Sequence, residues 1–169
     1  MKAILLSIKP KYVADILNGK KTIEIRKTMP KCDLPIDVYI YCTKNRLGLY
    51  WANKWVAIPQ MPTVPSVRNG KVVAKFTLRK VEAIDIWQED LEEKMKLACL
   101  SIKEFDDYSK GQVAYAWHIE DLVIFDEPKE LSEFWTTSHK VKGKKGHYTS
   151  HQISKAPQSY CFINGEIAK

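Results

Sequence analysis

The strongest constraint on the fold of this chain is a helix that is followed at once by a strand. Apolar side chains recur at helical spacing across residues 10–17, and Pro10 suits the first helical position, where its missing N–H is not needed. Asn18-Gly19 ends this helix because glycine tolerates the left-handed C-terminal position. Residues 21–27 then alternate between apolar and polar side chains, which predicts a strand.

This second segment carries two charged side chains between isoleucines. Glu24 and Arg26 share one face of the predicted strand, whereas Ile23 and Ile25 share the other. Charged side chains in such a setting are seldom deeply buried unless they are paired. The pattern therefore indicates the floor of a binding cleft, a structural ion pair or the solvent-exposed face of an edge strand. In a cleft, Arg26 would hold a phosphate through its planar fork, and Glu24 would accept from an exocyclic amino group or act as a base.

The rest of the chain predicts about six strands, with helices near the start and in the middle. The strands fall at residues 3–9, 21–27, 36–43, 71–86, 112–125 and 159–163, and the later helices at 88–97 and 101–108. There is no regular alternation of strand and helix and no internal repeat, so a mixed α+β fold around a small β-barrel fits best. The length of 169 residues suits one domain, residues 1–169, with a loop insertion at 44–70 and a mobile basic loop at 138–150.

Four residues at the junction of helix and strand match every fixed position of the pattern G-x-K-x-x-E-x-R: Gly19, Lys21, Glu24 and Arg26. This pattern is the signature of the ASCH domain, a branch of the PUA-like superfamily, and the preceding stretch LLSIKPKYVADILNGKKT resembles the opening of that family. Residues 114–119, 126–131 and 157–161 are also similar to the C-terminal strands of ASCH proteins. The resemblance implies a PUA-like barrel with a cleft beside the motif. It also implies RNA binding, RNA cleavage or removal of an acyl group from a modified cytidine.

One departure from the family bears on the deacylation alternative. The deacylating members resemble this chain at Gly19 and Lys21, but they carry a threonine nucleophile where this chain has Glu24. A carboxylate cannot take over the acyl-transfer role of a hydroxyl with the same base. The stretch that compares with their acidic residue, 98–104, has no acid at its start. Both differences weaken the amidohydrolase alternative.

Three further residues are candidate contacts around the motif. Lys21 begins the strand; simple alternation points it away from Glu24, but a twisted entry after the helix would bring it into the cleft. If the chain is an enzyme, Lys21 and Glu24 are the catalytic candidates. Lys9 precedes the first helix, whose N-terminus favours anions. Tyr41, on the third strand, is placed either to stack on a base or to pack in the core.

Charge is segregated along the sequence, which has a formal net charge of +7. Residues 82–134 carry fifteen acidic and five basic side chains, whereas residues 135–169 carry six basic and one acidic. Basic segments that converge on one face, with the acidic segment turned away, would attract a polyanion; a basic protein without such a partner is the alternative. The best candidates for contacts to a nucleic-acid backbone are Lys140, Lys142, Lys144 and Lys145.

Several classes of protein are disfavoured by what the sequence lacks. The four cysteines form no closely spaced pair, and the histidines at 139, 147 and 151 lie in a glycine-rich segment without the helix that a metal site of that spacing needs. We therefore predict no metal and no cofactor. No apolar run approaches the ~20 residues of a membrane span, so we expect a cytoplasmic protein with no membrane partner.

Three functional hypotheses remain open from the sequence. The first is a module that binds RNA or a nucleotide or nucleoside in a cleft open at both ends. The second is a hydrolase acting on RNA or on a modified nucleoside in a small closed pocket, with Glu24 as general base and Lys21 and Arg26 as electrophilic partners. The third is an accessory protein that binds another protein, with the motif buried in ion pairs and no cleft.

Overall fold

The computed structural model describes residues 2–44, 69–142 and 145–164, together with two short strands, Gly48–Trp51 and Lys54–Ala57. The helices in this part of the chain are α1 Pro10–Leu17, α2 Leu91–Ala98 and α3 Ile102–Ser109, with a short 3-10 helix at Leu131–Glu133. The strands are β1 Lys2–Ile8, β2 Ile23–Arg26, β3 Ile36–Cys42, β4 Gly48–Trp51, β5 Lys54–Ala57, β6 Lys71–Leu78, β7 Val81–Ile84, β8 Ala114–His118, β9 Glu120–Lys129, β10 Trp135–Lys142, β11 Lys145–Gln152 and β12 Tyr160–Asn164.

The strands form one large sheet and three small ones. The large sheet has the order β12-β1-β3-β6-β9, in which β1 and β3 are parallel and the other neighbours are antiparallel. The motif strand β2 pairs instead with β8, which pairs with β7, and both pairings are antiparallel. The predicted α+β class is confirmed, but the sheets of the described residues do not close into a barrel.

The structure contains more strands than the sequence predicted, for two reasons. The predicted long strands at 71–86 and 112–125 are each interrupted, at 79–80 and at 119, and continue as strands of different sheets. Two predicted loops also contain hairpins. Part of the 44–70 insertion forms the β4–β5 hairpin. Most of the other residues that could cover the cleft as a lid lie outside the described residues.

The segment 138–150, predicted to be a basic loop, is instead part of the β10–β11 hairpin. The prediction of a loop rested on its glycines and lysines. The same stretch also holds threonine, valine and tyrosine, which favour strands. These β-forming residues explain why an extended pairing replaces the loop.

Helix α1 and the strand β1 place the motif. Side chains of β1 alternate between two cores, with Ile4, Leu6 and Ile8 packed beneath α1 and with Ala3 and Leu5 on the opposite face of the sheet. A third core lies between the β2-β8-β7 sheet and helices α2 and α3. The motif strand β2 thus lies between the large sheet on one side and helices α2 and α3 on the other.

The helices confirm several local predictions. Helix α1 runs over the predicted residues, and α3 has the predicted capping box: the Glu104 backbone N–H donates to Ser101 Oγ at 3.1 Å, and the Ser101 N–H donates to Glu104 Oε2 at 2.8 Å. Helix α2 begins three residues later than predicted. Among the described residues, no helix has the length and apolar character that crossing a bilayer requires.

Candidate functional site

A cavity of about 480 Å³ lies beside Glu24, and we call it the motif pocket. Its wall comes from the end of β1, the start of α1, strand β2, helix α3 and the segment that precedes β12. The charged residues that line it are Lys9, Lys21, Glu24, Arg26, Glu104 and Asp107. The pocket therefore carries as many acidic as basic side chains, so its charge does not select for anions alone.

At one side of the pocket, three motif residues form a buried ion-paired cluster, which we call the motif triad: Lys21, Glu24 and Arg26. Lys21 Nζ lies 3.2 Å from Glu24 Oε2, and Arg26 Nη2 lies 2.9 Å from Glu24 Oε1. The three residues are 2%, 7% and 8% exposed, respectively. The expectation that charges at these positions would be paired if buried is confirmed.

The triad also fastens the motif strand to its neighbours. Lys21 Nζ donates to the Ala98 carbonyl at the end of α2, at 2.5 Å. Arg26 Nη2 donates to the Ser7 carbonyl near the end of β1 at 2.8 Å, and Nη1 donates to Ser159 Oγ at 3.4 Å. Each cation thus holds a separate element in place around the single carboxylate of Glu24.

Lys21 reaches Glu24 because it lies before the strand. Strand β2 begins only at Ile23, so the alternation that would point Lys21 away does not apply to it. Gly19 adopts a φ of +71°, and the backbone N–H groups of Lys20 and Lys21 both donate to the Asp15 carbonyl. This tight exit from α1 brings the lysine into the pocket, as a twisted entry required.

Arg26 keeps one donor that the described residues do not use. Its Nε is buried and has no hydrogen-bond partner among them, while both terminal nitrogens are engaged. An unpaired buried N–H of a charged group is costly.

Two tyrosines that the sequence did not indicate as contacts also line the pocket. Tyr12 comes from α1 and Tyr108 from α3. Lys21 Nζ lies 5.2 Å from the centroid of the Tyr12 ring, and Lys27 Nζ lies 5.0 Å from that of Tyr108. Burial raises the pKa of both phenols; the carboxylates of Glu104 and Glu24 add to the rise at Tyr12. Both rings therefore offer a neutral hydroxyl and an aromatic face.

The acidic segment is not turned away from the candidate site, contrary to the expectation from charge segregation. Phe105 is buried against the third core and fixes the rotation of α3. Glu104, Asp107 and Tyr108 are spaced three and four apart, so they share a side of the helix and line the pocket together. In the capping box, the Ser101 backbone N–H and then its hydroxyl lower the pKa of Glu104, which keeps this carboxylate ionised at neutral pH.

The other predicted contacts divide into three groups. Lys9 lines the pocket at the start of α1. Tyr41 does not; it is buried in the second core of the large sheet, which is the alternative that the sequence left open. Lys140, Lys142 and Lys145 lie on the β10–β11 hairpin, where only the backbone is described, and Lys144 lies outside the described residues.

One titratable pair outside the motif pocket is well formed. His118 Nε2 lies 2.7 Å from Glu82 Oε2, and Lys80 Nζ lies 2.6 Å from Glu82 Oε1. The hydrogen bond from Lys80 and then that from His118 lower the pKa of Glu82. In the part of the chain that the structure describes, no three His, Cys, Asp or Glu side chains are grouped so as to hold a metal ion.

Comparison with known proteins shows that this chain belongs to a recognised family. The model of the ASCH domain matches residues 6–129, which include the triad and both pocket tyrosines. No curated protein matches the chain significantly.

Solved structures of ZmASCH, an ASCH protein from Zymomonas mobilis, resemble the chain along nearly its whole length. A serine-to-alanine mutant has a TM-score of 0.61 at 18% identity, covering 96% of this chain and 89% of the other. The unmutated protein gives 0.55 at 18% identity, covering 96% and 88%. A tyrosine-to-phenylalanine mutant gives 0.57 at 17% identity, covering 98% and 92%. At these identities the likeness concerns the fold alone.

Proposed function

Because this chain belongs to the ASCH domain family, which is commonly associated with RNA binding, we propose that it binds RNA or a nucleotide and holds one nucleotide unit in the motif pocket. The observation that carries the proposal is the buried triad at the wall of a cavity of about 480 Å³. That volume falls in the range of small-molecule sites, ~300–1,000 Å³. A base with its sugar fits this scale, whereas a folded nucleic acid does not.

The chemistry of the lining suits a nucleotide better than a bare phosphate. Lys9 is a donor for phosphate or base oxygens. Glu104 and Asp107 are acceptors for the exocyclic amino groups of a base. Tyr12 and Tyr108 offer aromatic faces, on which bases stack in single-stranded RNA complexes. A nucleotide can contact all of these groups together. Its oxygens accept from the cation, its amino groups donate to the carboxylates, and its base stacks on an aromatic face.

Hydrolysis of RNA or of a modified nucleoside is the second candidate. A compact pocket beside Glu24, with Lys21 Nζ at 3.2 Å, is the arrangement expected for that activity. Two observations rank it below binding. Both carboxylate oxygens of Glu24 are already engaged by cations. Thr22, the hydroxyl within the motif, is exposed and does not line the pocket, so it does not take the nucleophile position of the deacylating members.

The stacking part of the proposal predicts a large effect at Tyr108. Tyr108→Ala should weaken binding of a single-stranded RNA about 5- to 150-fold, since stacking on an aromatic side chain contributes about 1–3 kcal/mol per base. Tyr108→Phe keeps the ring and should bind much like the wild type. Because Tyr108 is 37% exposed, its truncation should leave the fold intact. Fluorescence anisotropy measures the affinity, and a gel of the same samples reports whether the RNA stays whole.

The matched control is Trp87→Ala, because Trp87 is 89% exposed and does not line the pocket. It should leave the affinity unchanged. Equal losses for Trp87→Ala and Tyr108→Ala would refute stacking in the motif pocket. Cleavage of the RNA by the wild type, slowed by Tyr108→Ala, would instead favour the hydrolase.

A further inference from the structure

We propose that the motif pocket prefers guanine nucleotides, with Asp107 as the acceptor for the base and Lys9 as the donor to the phosphate. This inference rests on the proposed function of the pocket and specifies which nucleotide it takes. Its basis is a pair of oppositely charged side chains without partners, a helix held in a fixed position and the donor pattern of the guanine base.

Four of the six charged side chains that line the pocket already have partners in the protein. Three of them form the motif triad, in which Glu24 contacts both cations. The fourth, Glu104, accepts from the backbone N–H and the hydroxyl of Ser101 and lies 3.8 Å from Lys11 Nζ. A ligand that bonded to any of these groups would compete with bonds that the folded protein already makes.

The remaining two charged residues of the lining are Lys9 and Asp107. Within the part of the chain that the structure describes, neither side chain has an ion-pair or hydrogen-bond partner. They lie on different elements, Lys9 just before α1 and Asp107 on α3, so one ligand can contact both across the pocket. Such a ligand needs an anionic group for the lysine and hydrogen-bond donors for the carboxylate. A nucleotide has this combination, with a phosphate at one end and a base at the other.

Helix α3 holds Asp107 in place although the side chain itself is exposed. The capping box fixes the start of the helix, and Phe105 and Ser109 are buried on its inner side. Asp107 and Tyr108 are consecutive residues, and both line the pocket. A base that stacks on the Tyr108 ring therefore brings its hydrogen-bonding edge towards the side of the pocket that carries Asp107.

Guanine is the base whose edge best matches a single carboxylate. An ionised carboxylate accepts hydrogen bonds and donates none, so it favours the edge with the most donors. Guanine has two adjacent donors, N1–H and the N2 amino group, which pair with the two carboxylate oxygens at once. Adenine and cytosine have a ring nitrogen acceptor beside the amino group, and uracil has a carbonyl on each side of its N3–H. These acceptors repel the carboxylate that the donors of guanine attract.

The test measures the affinities of the monophosphates of guanosine (GMP), inosine (IMP), adenosine, cytidine and uridine by isothermal titration calorimetry. IMP differs from GMP only in lacking the N2 amino group. One hydrogen bond corresponds to about 2- to 13-fold in affinity, so IMP should bind more weakly than GMP by that factor. The other three monophosphates should bind more weakly than GMP by at least as much.

Asp107→Asn should change the preference rather than abolish binding. A carboxamide offers one acceptor and one donor, so it matches the N1–H and O2 of xanthine better than the two donors of guanine. The variant should therefore bind xanthosine monophosphate more tightly than GMP, whereas the wild type should prefer GMP. Asp106→Asn is the matched control, because Asp106 is exposed on the same helix and does not line the pocket. It removes the same charge and should keep the preference for GMP.

The phosphate contact is tested by comparing GMP with guanosine. Lys9→Gln should weaken GMP binding about 2- to 5-fold, the range expected for an exposed ion pair, and leave guanosine binding unchanged. Lys31→Gln, at an exposed lysine outside the pocket, should affect neither ligand.

Three results would count against the inference. Equal affinities of the wild type for all five monophosphates, each lowered by Tyr108→Ala, would overturn the preference for guanine and leave the pocket proposal standing. A preference for GMP that survives Asp107→Asn would overturn the role of Asp107. Absence of binding by every monophosphate would overturn both the preference and the pocket proposal.

Discussion

Replacing Glu24 by alanine should lower the free energy of unfolding by about 3–5 kcal/mol, the range found when one partner of a buried ion pair is removed. Glu24 is the carboxylate that contacts both Lys21 and Arg26, at 3.2 and 2.9 Å. Without it, two buried cations lose their counter-charge while the Ala98 and Ser7 carbonyls still hold them in place. Denaturation by urea at neutral pH, followed by far-UV circular dichroism, measures the change.

The control is Asp37→Ala, which breaks the Lys75–Asp37 pair of 2.9 Å. The chemistry is the same, but these side chains are 35% and 40% exposed, so the loss should stay below about 1 kcal/mol. The contrast between the two variants isolates the effect of burial. Equal, small losses for both would mean that the triad is solvated in solution and that the motif pocket has no buried ionic wall.

The second large effect is expected at Trp117. Its side chain is fully buried, and its ring lies 5.3 Å from that of Tyr160 in an edge-to-face arrangement. On β8, Trp117 pairs in register with Glu24 of the motif strand and with Val81 of β7. Trp117→Ala should therefore lower the free energy of unfolding by about 3–5 kcal/mol through the cavity that it leaves. It should also weaken ligand binding, since the strand that carries the triad loses its support.

Trp87→Ala provides the comparison for the same substitution at the surface. It should change the stability by no more than about 0.5 kcal/mol, because Trp87 is 89% exposed. The same denaturation experiment gives both values. A loss at Trp117 as small as that at Trp87 would contradict the burial of the Trp117 side chain in the core that also holds Ile4, Leu6 and Ile8.

Local patterns were sufficient to predict the segment that carries the motif. The apolar stripe of α1, Asn18-Gly19 at its end, and the charged residues between Ile23 and Ile25 all depend on neighbours in sequence. The cost of burying a lone charge implied only that Glu24 and Arg26 would be paired if they were buried, and it left open whether they are. The capping box of α3 was readable for the same reason, because it needs only residues three apart.

Features that depend on distant contacts were not predictable. The motif strand pairs with β8 rather than with a strand of the large sheet, and nothing in its own residues specifies that partner. Glu104, Asp107 and Tyr108 reach the pocket only because Phe105 fixes the rotation of α3 against a core built from other segments. Tyr41 has an aromatic side chain of the kind that stacks on bases, but its strand lies between two cores and its side chain is buried in one of them.

The β10–β11 hairpin shows how composition can mislead. Its lysines and glycines indicated a loop, yet each of its two strands extends over eight residues. The resemblance to a family likewise implied a barrel, which the described sheets do not close. In both cases the deciding information is the register between strands, which a single sequence does not contain.

The most direct test of the central claim, that the motif pocket holds one nucleotide, is an NMR titration of the isotope-labelled protein with ribonucleoside monophosphates. We expect the largest amide shift changes around the pocket, at Ser7, Lys21, Ile25, Leu100 and Tyr108. Saturable changes at these positions would support the site whichever base is preferred. Changes confined to other surfaces, or no change at these amides at high nucleotide concentration, would contradict it.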